Sequence, residues 1–295
     1  MLSDKLKDYI HLHFLVFIAG FTAILGRLIS IGSIRLVWYR MTIAALLMWA
    51  FIAITKKVLR INRLSFFGFL VAGIIIALHW VTFFESINQS NISIALSMFS
   101  SGAFFASFIE PMFFKRKIKI YEIGFGLVVI AGVFIITKSE LRFINGILLG
   151  LCSALFSTLF AVINGRFIRK HKASVISFYE FMCGVGFLTV FLLVKNDESM
   201  VSFFEISAAD WIYILVLASI CTAYAFIASV DVMKNLSPFT VILSYNLEPV
   251  YGIALAVLLF PEEERMSTEF YIGAVLILTV VLLDALIKQK KSRSN

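Results

Sequence analysis

Charged side chains are scarce in this sequence. Of its 295 residues, 15% are charged and 61% are hydrophobic, and the mean hydropathy is +0.97. A soluble protein carries about a quarter charged residues, because a polar surface must face water. The composition therefore excludes a water-soluble globule. It predicts an all-α integral membrane protein, since a helix satisfies its backbone polar groups within one segment.

Catalytic and metal-binding motifs are also missing. The sequence has no G-x-x-x-x-G-K-[ST], no H-E-x-x-H and no G-x-S-x-G, so neither ATP coupling nor these hydrolytic sites are expected. Its four histidines form no metal-ligand pattern, and Cys152, Cys183 and Cys221 stand alone in apolar runs. We expect packing roles for the cysteines, no cofactor and no enzymatic activity.

Long apolar runs, in contrast, fill the chain. Ten of them reach about 20 residues, the helix length that crosses a hydrocarbon core of about 30 Å. Short connections separate them, and no Pro-rich or Ser-rich linker occurs. The predicted spans are 12–31, 34–55, 66–87, 92–114, 120–138, 144–165, 173–194, 211–233, 238–261 and 268–288.

The basic residues indicate how these spans are oriented. If the N-terminus lies in the cytoplasm, 19 of the 26 Lys and Arg fall on that side. Short cytoplasmic loops of membrane proteins carry such an excess. The net charge of +8 therefore reports topology and not nucleic-acid binding. We expect a multi-pass protein of the cell inner (plasma) membrane with both termini in the cytoplasm.

The two halves of the sequence resemble each other. Arg27 and Arg166 follow similar apolar segments, A-I-L-G-R and V-I-N-G-R, and lie 139 residues apart. Further along, Gly124 and Gly273 extend the match at an offset of 149. Several matches in the same order predict an internal repeat, with small insertions that explain the growing offset.

The repeat must be inverted, because each copy contains five spans. An odd number of spans places the second copy upside down in the membrane. The loop charges agree, since K-R-K-I-K follows the fourth span and P-E-E-E-R follows the ninth. We predict two inverted five-helix repeats, residues 1–138 and 139–295. Such halves can rock between inward-open and outward-open states.

One segment of the second repeat resembles a known family. The run S-P-F-T-V-I-L-S-Y-N-L-E-P-V-Y-G-I-A-L-A-V-L-L-F-P-E-E, together with the two repeats, looks like the EamA family of the drug/metabolite transporter superfamily. The resemblance implies a secondary carrier of amino acids or other small metabolites, often exported. The first repeat departs from the motif, because Ser101 and Gly102 stand where the second has Glu248 and Pro249.

Polar residues interrupt the ninth span. Tyr245, Asn246 and Glu248 precede Pro249 near the middle of the apolar run. A charge at this depth costs a few kcal/mol unless it faces a cavity or a partner. We expect these residues to line a central site in which Glu248 binds substrate or carries a coupled proton. The alternative is a protonated structural glutamate bonded to a neighbouring helix.

Arg40 and Glu180 stand at equivalent positions of the two repeats, 140 residues apart. Each lies about 10 Å from its own membrane surface, at about 1.5 Å per residue. A small zwitterion could bridge them, with its carboxylate on Arg40 and its ammonium on Glu180. Alternatively, each pairs with a polar neighbour and holds its helix in place.

Aromatic residues and one histidine complete the candidate set. His79 is the intramembrane histidine of the third span and could relay a proton, although a hydrogen-bonded packing role is the favoured alternative. Trp80 offers a face for stacking or cation–π contact. The tyrosines expected to join it around the cavity, besides Tyr245, are Tyr39, Tyr179 and Tyr224.

These features favour a secondary transporter of small metabolites that works by alternating access. An amino-acid or related exporter is the leading interpretation, driven by the substrate gradient or by protons. A nucleobase or nucleotide-sugar carrier and a flippase of lipid-linked substrates remain alternatives on the same fold. The expected partners are a small-molecule substrate and the lipid bilayer, and no nucleic acid.

Overall fold

The computed structural model describes residues 4–115, 117–168, 170–195, 203–232, 236, 244–245 and 247–293. Within these residues the chain forms helices and no strand. The α-helices, in chain order, are α1 (Asp4–Leu28), α2 (Ser33–Ile54), α3 (Arg63–Gln89), α4 (Ile92–Phe99), α5 (Gly102–Phe114), α6 (Ile120–Ser139), α7 (Ile144–Phe167), α8 (Ala173–Lys195), α9 (Ala208–Ala218), α10 (Ala225–Asp231), α11 (Glu248–Leu259) and α12 (Thr268–Arg293).

Eight helical segments of the described residues are long and apolar enough to cross a membrane. They have 20 to 27 residues each. Helices α4 and α5 together form one of these segments, and α9 forms another together with the residues that follow it up to Ser229 in α10. Helix α11 is apolar but shorter, and α12 follows it. The chain is therefore a multi-pass membrane protein. Ten spans remain the prediction, because residues 238–243 of the ninth lie outside the described residues.

Two helices begin near the middle of a predicted span. In the fourth span, α4 ends at Phe99 and α5 begins at Gly102. Helix α11 begins at Glu248, which puts Pro249 in its first turn. Proline is tolerated there because the first N–H groups of a helix have no intrahelical partner. Pro249 thus stands in the first turn of a helix, and the two helix starts fall within one residue of the positions that the sequence comparison pairs.

Small residues allow the helices to approach closely. Helix α3 packs against α7 and α8, α1 packs against α11, and α6 packs against α12. A Cβ built on Gly73 of α3 would lie 2.4 Å from the Glu180 carbonyl oxygen of α8. Gly273 of α12 likewise lies against the Gly132 carbonyl of α6, whereas a Cβ on Gly124 would meet open space. Glycine at these crossings brings backbones into contact.

One end of the bundle, which we call the Arg27 end, is closed by contacts between the two halves. The carboxylate of Asp210, at the start of α9, accepts hydrogen bonds from Ser30 N (2.8 Å) and Ser30 Oγ (2.7 Å). Arg27 forms an ion pair with Glu263 at 2.6 Å. The Glu264 carboxylate accepts from the first backbone N–H groups of α4. Loops of one half thus hold helices of the other.

The opposite end, the Arg166 end, has contacts of the same kind. Ser65 Oγ, at the start of α3, lies 2.8 Å from His171 Nε2 in the loop after α7. Tyr179 Oη donates to the carbonyl of Leu59 at 2.7 Å. Arg166 donates to the carbonyl of Phe113 at the end of α5. Both ends of the bundle are therefore joined across the two halves of the sequence.

Candidate functional site

Arg40 of α2 is buried between helices, with 3% of its surface exposed. Its Nε donates a hydrogen bond of 2.8 Å to Thr222 Oγ1. The guanidinium carbon lies 4.0 Å from the Trp80 ring centre and 5.6 Å from that of Phe84, within the range of cation–π contacts. Among the residues that the structure describes, Arg40 Nη1 has no hydrogen-bond partner. Within the described residues, Thr222 thus binds the Nε–H edge of the guanidinium, Trp80 covers one face, and the Nη1 donor has no partner.

A π-helical turn, Ser219–Tyr224, presents the Thr222 hydroxyl to Arg40. Thr222 Oγ1 donates to the carbonyl of Leu217 at 2.8 Å, five residues earlier, while it accepts from Arg40. A π-bulge inserts one residue into a helix and is frequent at functional sites. No residue pattern in the segment marks the bulge, so the sequence alone does not single out Thr222.

Glu248 is an acidic residue that interacts electrostatically with Arg40. It begins α11. Tyr245 also interacts with Glu248, and its hydroxyl lies 2.6 Å from Ser229 Oγ. Asn246, the remaining polar candidate of this segment, lies outside the described residues. The structure therefore brings Arg40, Glu248 and Tyr245 into one region.

His79 lies beside this region and is hydrogen-bonded to α7. Its Nδ1 is 3.0 Å from the Ser153 carbonyl oxygen and 2.9 Å from Ser153 Oγ. The imidazole stacks on Phe99, with ring centres 5.4 Å apart. Trp80, the next residue, carries the Arg40 contact on its ring and packs against Phe181. The hydrogen bonds of His79 give it a role in joining α3 to α7.

Glu180 has a polar neighbour different from those of Arg40. It is 1% exposed, and its polar neighbour is the side chain of Asn164 on α7. Two oxygens of this pair, Glu180 Oε1 and Asn164 Oδ1, have no hydrogen-bond partner among the described residues. Glu180 and Arg40 therefore occupy different polar environments.

The hydroxyl groups of the three other candidate tyrosines have partners other than Arg40 and Glu248. Tyr39 Oη donates to the carbonyl of Phe203 at 3.2 Å, near the Arg27 end. Tyr179 lies at the Arg166 end, and Tyr224 is 41% exposed with its hydroxyl 2.7 Å from His11 Nε2. Their hydroxyl groups thus bond to loops or to α1.

A separate cleft lies between α5, α6 and α12. It has an empty volume of about 230 Å³ and is lined by residues that include Phe104, Ser107, Glu122 and Asp284. None of its lining residues belongs to α2, α3 or the π-helical turn. We therefore assign the candidate site to Arg40 and its neighbours on the basis of charge and unpaired donors.

Comparison with known families agrees with this architecture. The family model described as the EamA-like transporter family matches residues 9–138 and 144–284. The chain belongs to this family. EamA belongs to the drug/metabolite transporter superfamily, so the resemblance drawn from the ninth-span motif is confirmed.

Two further comparisons identify a related protein and a solved structure with a similar fold. The Uncharacterized transporter YxxF of Bacillus subtilis (strain 168) is 21% identical over 192 residues. That match covers 63% of this chain and about 60% of the relative's length. A crystal structure of another protein superposes with a TM-score of 0.65 at 14% identity, covering 96% of this EamA chain and 99% of the other. At that identity the likeness shows the fold alone.

Proposed function

We propose that this EamA-family protein is a secondary transporter that carries a small carboxylate-bearing metabolite, such as an amino acid, by alternating access. The observation that carries the proposal is the buried guanidinium of Arg40 with its unpaired Nη1. Insertion of an arginine at the centre of a bilayer costs about 2.5–3.5 kcal/mol of free energy even on insertion scales, so the charge needs a compensating interaction. A bound anionic group supplies such an interaction.

The contacts of Arg40 determine how a substrate would approach it. Trp80 covers one face of the guanidinium, and Thr222 takes the Nε–H. A carboxylate would therefore approach the edge that carries Nη1. Arginine suits this task because its planar fork matches a carboxylate. In a desolvated site, hydrogen bonds between charged groups are about twice as strong as neutral ones.

Glu248 is the proposed opposite pole of the substrate site. It interacts electrostatically with Arg40 but does not occupy Nη1. A zwitterion would place its carboxylate at Arg40 and its ammonium at Glu248. The sequence suggested a zwitterion bridging Arg40 and Glu180. In this proposal Glu248 takes the place of Glu180 as the acidic partner. Glu248 also remains the candidate for exchange of the substrate against a proton.

Matched contacts at the two ends support an inverted repeat and alternating access. At the Arg27 end, Ser207 caps α9 and Asp210 binds Ser30. At the Arg166 end, Asn62 caps α3 and Ser65 binds His171. Asn62 and Ser207 are 145 residues apart, as are Ser65 and Asp210. Two equivalent closures on opposite sides are what a carrier with alternately opening halves requires.

The division of the family match supports the same reading. The two matched ranges are separated at residues 138 and 144, where the sequence predicts the boundary between the repeats. We propose that the chain lies in the inner membrane with both termini in the cytoplasm, so that the Arg166 end faces the cytoplasm. The basic loops are the support for that orientation.

Counterflow in proteoliposomes tests the proposed function. Vesicles are loaded with an unlabelled amino-acid mixture and receive trace labelled amino acids outside, which needs no assumption about the driving force. We expect protein-dependent accumulation of label, its loss in Arg40→Ala and weakened substrate affinity in Arg40→Lys. Arg60→Ala, at an exposed position, is the control and should behave like the parent.

Two outcomes would reject parts of the proposal. Failure of folded parent protein to accumulate any label would remove amino acids as substrates. Equal counterflow in the parent and in Arg40→Ala would remove Arg40 from the substrate site.

Glu248→Gln should leave the protein inserted while its transport no longer responds to pH.

A further inference from the structure

Glu180 is a buried acid for which the described residues supply no basic partner. The structure packs α8 against α2, α3 and α10. On α2, Arg40 interacts with Cys221 and Glu248, and on α3, His79 interacts with Arg40. The titratable group that faces Glu180 is Cys183 on its own helix, and the polar group is Asn164 on α7. Within the described residues, no cation compensates this carboxylate.

A charge in this position is costly. Transfer of an ionised carboxylate into an apolar interior without a partner costs many kcal/mol, so such a group takes up a proton. A protonated carboxyl group has one donor and retains acceptor capacity, and a primary amide has donors and an acceptor. A neutral Glu180 and Asn164 are therefore complementary.

A single proton would let both unpaired oxygens, Glu180 Oε1 and Asn164 Oδ1, take part in a hydrogen bond. With a hydrogen on Glu180 Oε1, its hydroxyl could donate to Asn164 Oδ1, while the Asn164 amide donates to the other carboxyl oxygen. Among the described residues, Glu180 Oε1 and Asn164 Oδ1 have no partner, and an ionised carboxylate could not supply one because both atoms would then be acceptors. A hydrogen on Glu180 would give both oxygens a partner.

We propose that Glu180 and Asn164 form a proton-binding site, distinct from the Arg40–Glu248 substrate site, that exchanges its proton with water during the transport cycle. Glu180 is the eighth residue of α8, about 10 Å from the start of the helix at 1.5 Å per residue. Opening of the Arg166 end would let water reach it. The O–H bond of Glu180 then breaks, the proton passes to water, and the ionised carboxylate is solvated until the end closes and a proton returns.

Infrared difference spectroscopy tests the site without any substrate. Purified protein in lipid nanodiscs is perfused alternately with acidic and alkaline buffer. We expect a carboxylic-acid C=O band that changes with pH, disappears in Glu180→Gln and shifts in frequency in Asn164→Leu. Glu248→Gln is the matched control and should retain the band. A band that does not change with pH would show a permanently protonated structural acid and overturn the proposal.

Transport assays provide the second readout. Glutamine at position 180 keeps the shape of the protonated acid and can donate to Asn164, so Glu180→Gln should fold. It should retain substrate counterflow, which needs no proton turnover, and lose pH-driven net transport. Net transport that still responds to pH in Glu180→Gln would contradict the proposal. Stimulation of the parent by Na⁺ at constant pH, absent in Glu180→Gln, would assign the site to sodium instead.

The two assays also separate this inference from the proposed function. Absence of counterflow in the parent bears on the substrate and on Arg40. The pH-dependent infrared band of Glu180 bears on the proton site alone.

Discussion

At the scale of residues, Arg40 is stabilised by groups from three other segments. Thr222 comes from the π-helical turn, Trp80 from α3 and Glu248 from α11. Each supplies a different interaction, namely a hydrogen bond, a cation–π contact and an opposite charge. Together they fix the position of a cation that has one unpaired donor nitrogen.

Thr222→Val should weaken substrate binding without unfolding the protein. The substitution keeps the side-chain shape and removes the acceptor of the Arg40 Nε–H. A hydrogen bond to a charged group contributes about 1.5–3 kcal/mol, so we expect affinity to fall by roughly tenfold or more. Counterflow at varied substrate concentration measures it.

Thr137→Val is the matched control for that change. Thr137 Oγ1 donates to the carbonyl of Val133 within α6 and touches no part of the Arg40 region. Equal affinities in the two variants would show that the Thr222 hydroxyl does not position Arg40.

At the residue level, the sequence indicates which polar residues lie in apolar runs but not the direction in which each side chain points. The sequence singled out Arg40 and Glu248 because charge at mid-membrane is costly wherever it occurs. It could not tell which tyrosines face inward, because Tyr39, Tyr179 and Tyr224 occupy apolar runs like their neighbours. Their hydroxyl partners, such as the Leu59 carbonyl, lie far away in sequence.

At the scale of elements, α3 and α8 cross with backbone packed against backbone. Gly73 faces the backbone of Glu180, and Gly184 faces the backbone of Gly73. A backbone atom cannot move aside as a flexible side chain can. The crossing therefore sets the separation of two helices, one carrying Trp80 and the other Glu180.

Gly73→Ala should lower the thermal stability of the purified protein. Its Cβ would lie 2.4 Å from the Glu180 carbonyl oxygen, so the helices must separate. Overpacking of this kind costs about 1–3 kcal/mol. A thermal-shift measurement in detergent records the change in melting temperature.

Gly186→Ala tests whether crowding is the cause. Gly186 lies on α8, two residues from Gly184, and a Cβ there would meet nothing within 4 Å. Its substitution should leave the melting temperature unchanged or raise it, since alanine is a better helix former. A similar loss in both variants would rule out the crossing as the cause.

Element boundaries followed from the sequence where a hydrophobic run defines a whole helix. The predicted spans 34–55 and 173–194 correspond to Ser33–Ile54 and Ala173–Lys195. The break after α4 was not predicted, because Ser100 there donates its hydroxyl to the Leu96 carbonyl, which serines also do inside continuous helices.

At the scale of the whole molecule, the two ends are closed by different chemistry. The Arg27 end uses carboxylates, as in Ser30–Asp210 and Arg27–Glu263. The Arg166 end uses an imidazole and backbone carbonyls, as at His171 and Phe113. Equivalent positions thus carry different groups, which allows the two closures to differ in strength.

A disulfide at the Arg27 end should arrest transport reversibly. The Ser30 and Asp210 side chains are 2.7 Å apart, so Ser30→Cys with Asp210→Cys places two thiols close together in a protein lacking Cys152, Cys183 and Cys221. We expect oxidation to stop counterflow, because this end can no longer open, and a reductant to restore it.

Each single-cysteine variant controls for loss of the native hydrogen bonds and should be insensitive to oxidation. Cross-linked protein that still transports at the rate of the reduced protein would contradict opening at the Arg27 end.

The starts of α5 and α11 near the middle of predicted spans have an electrostatic consequence. A helix N-terminus carries about half a positive elementary charge from its aligned peptide dipoles. Helix α5 runs from its start at Gly102 toward the Arg166 end, and α11 runs from Glu248 toward the Arg27 end. The positive pole of α5 is offset by the negative pole of α4, which ends at Phe99, with two residues between them, and runs in the same direction. The positive pole of α11 lies at its first residue, Glu248, so the fixed backbone of that helix balances part of the carboxylate's charge from whichever side the protein is open.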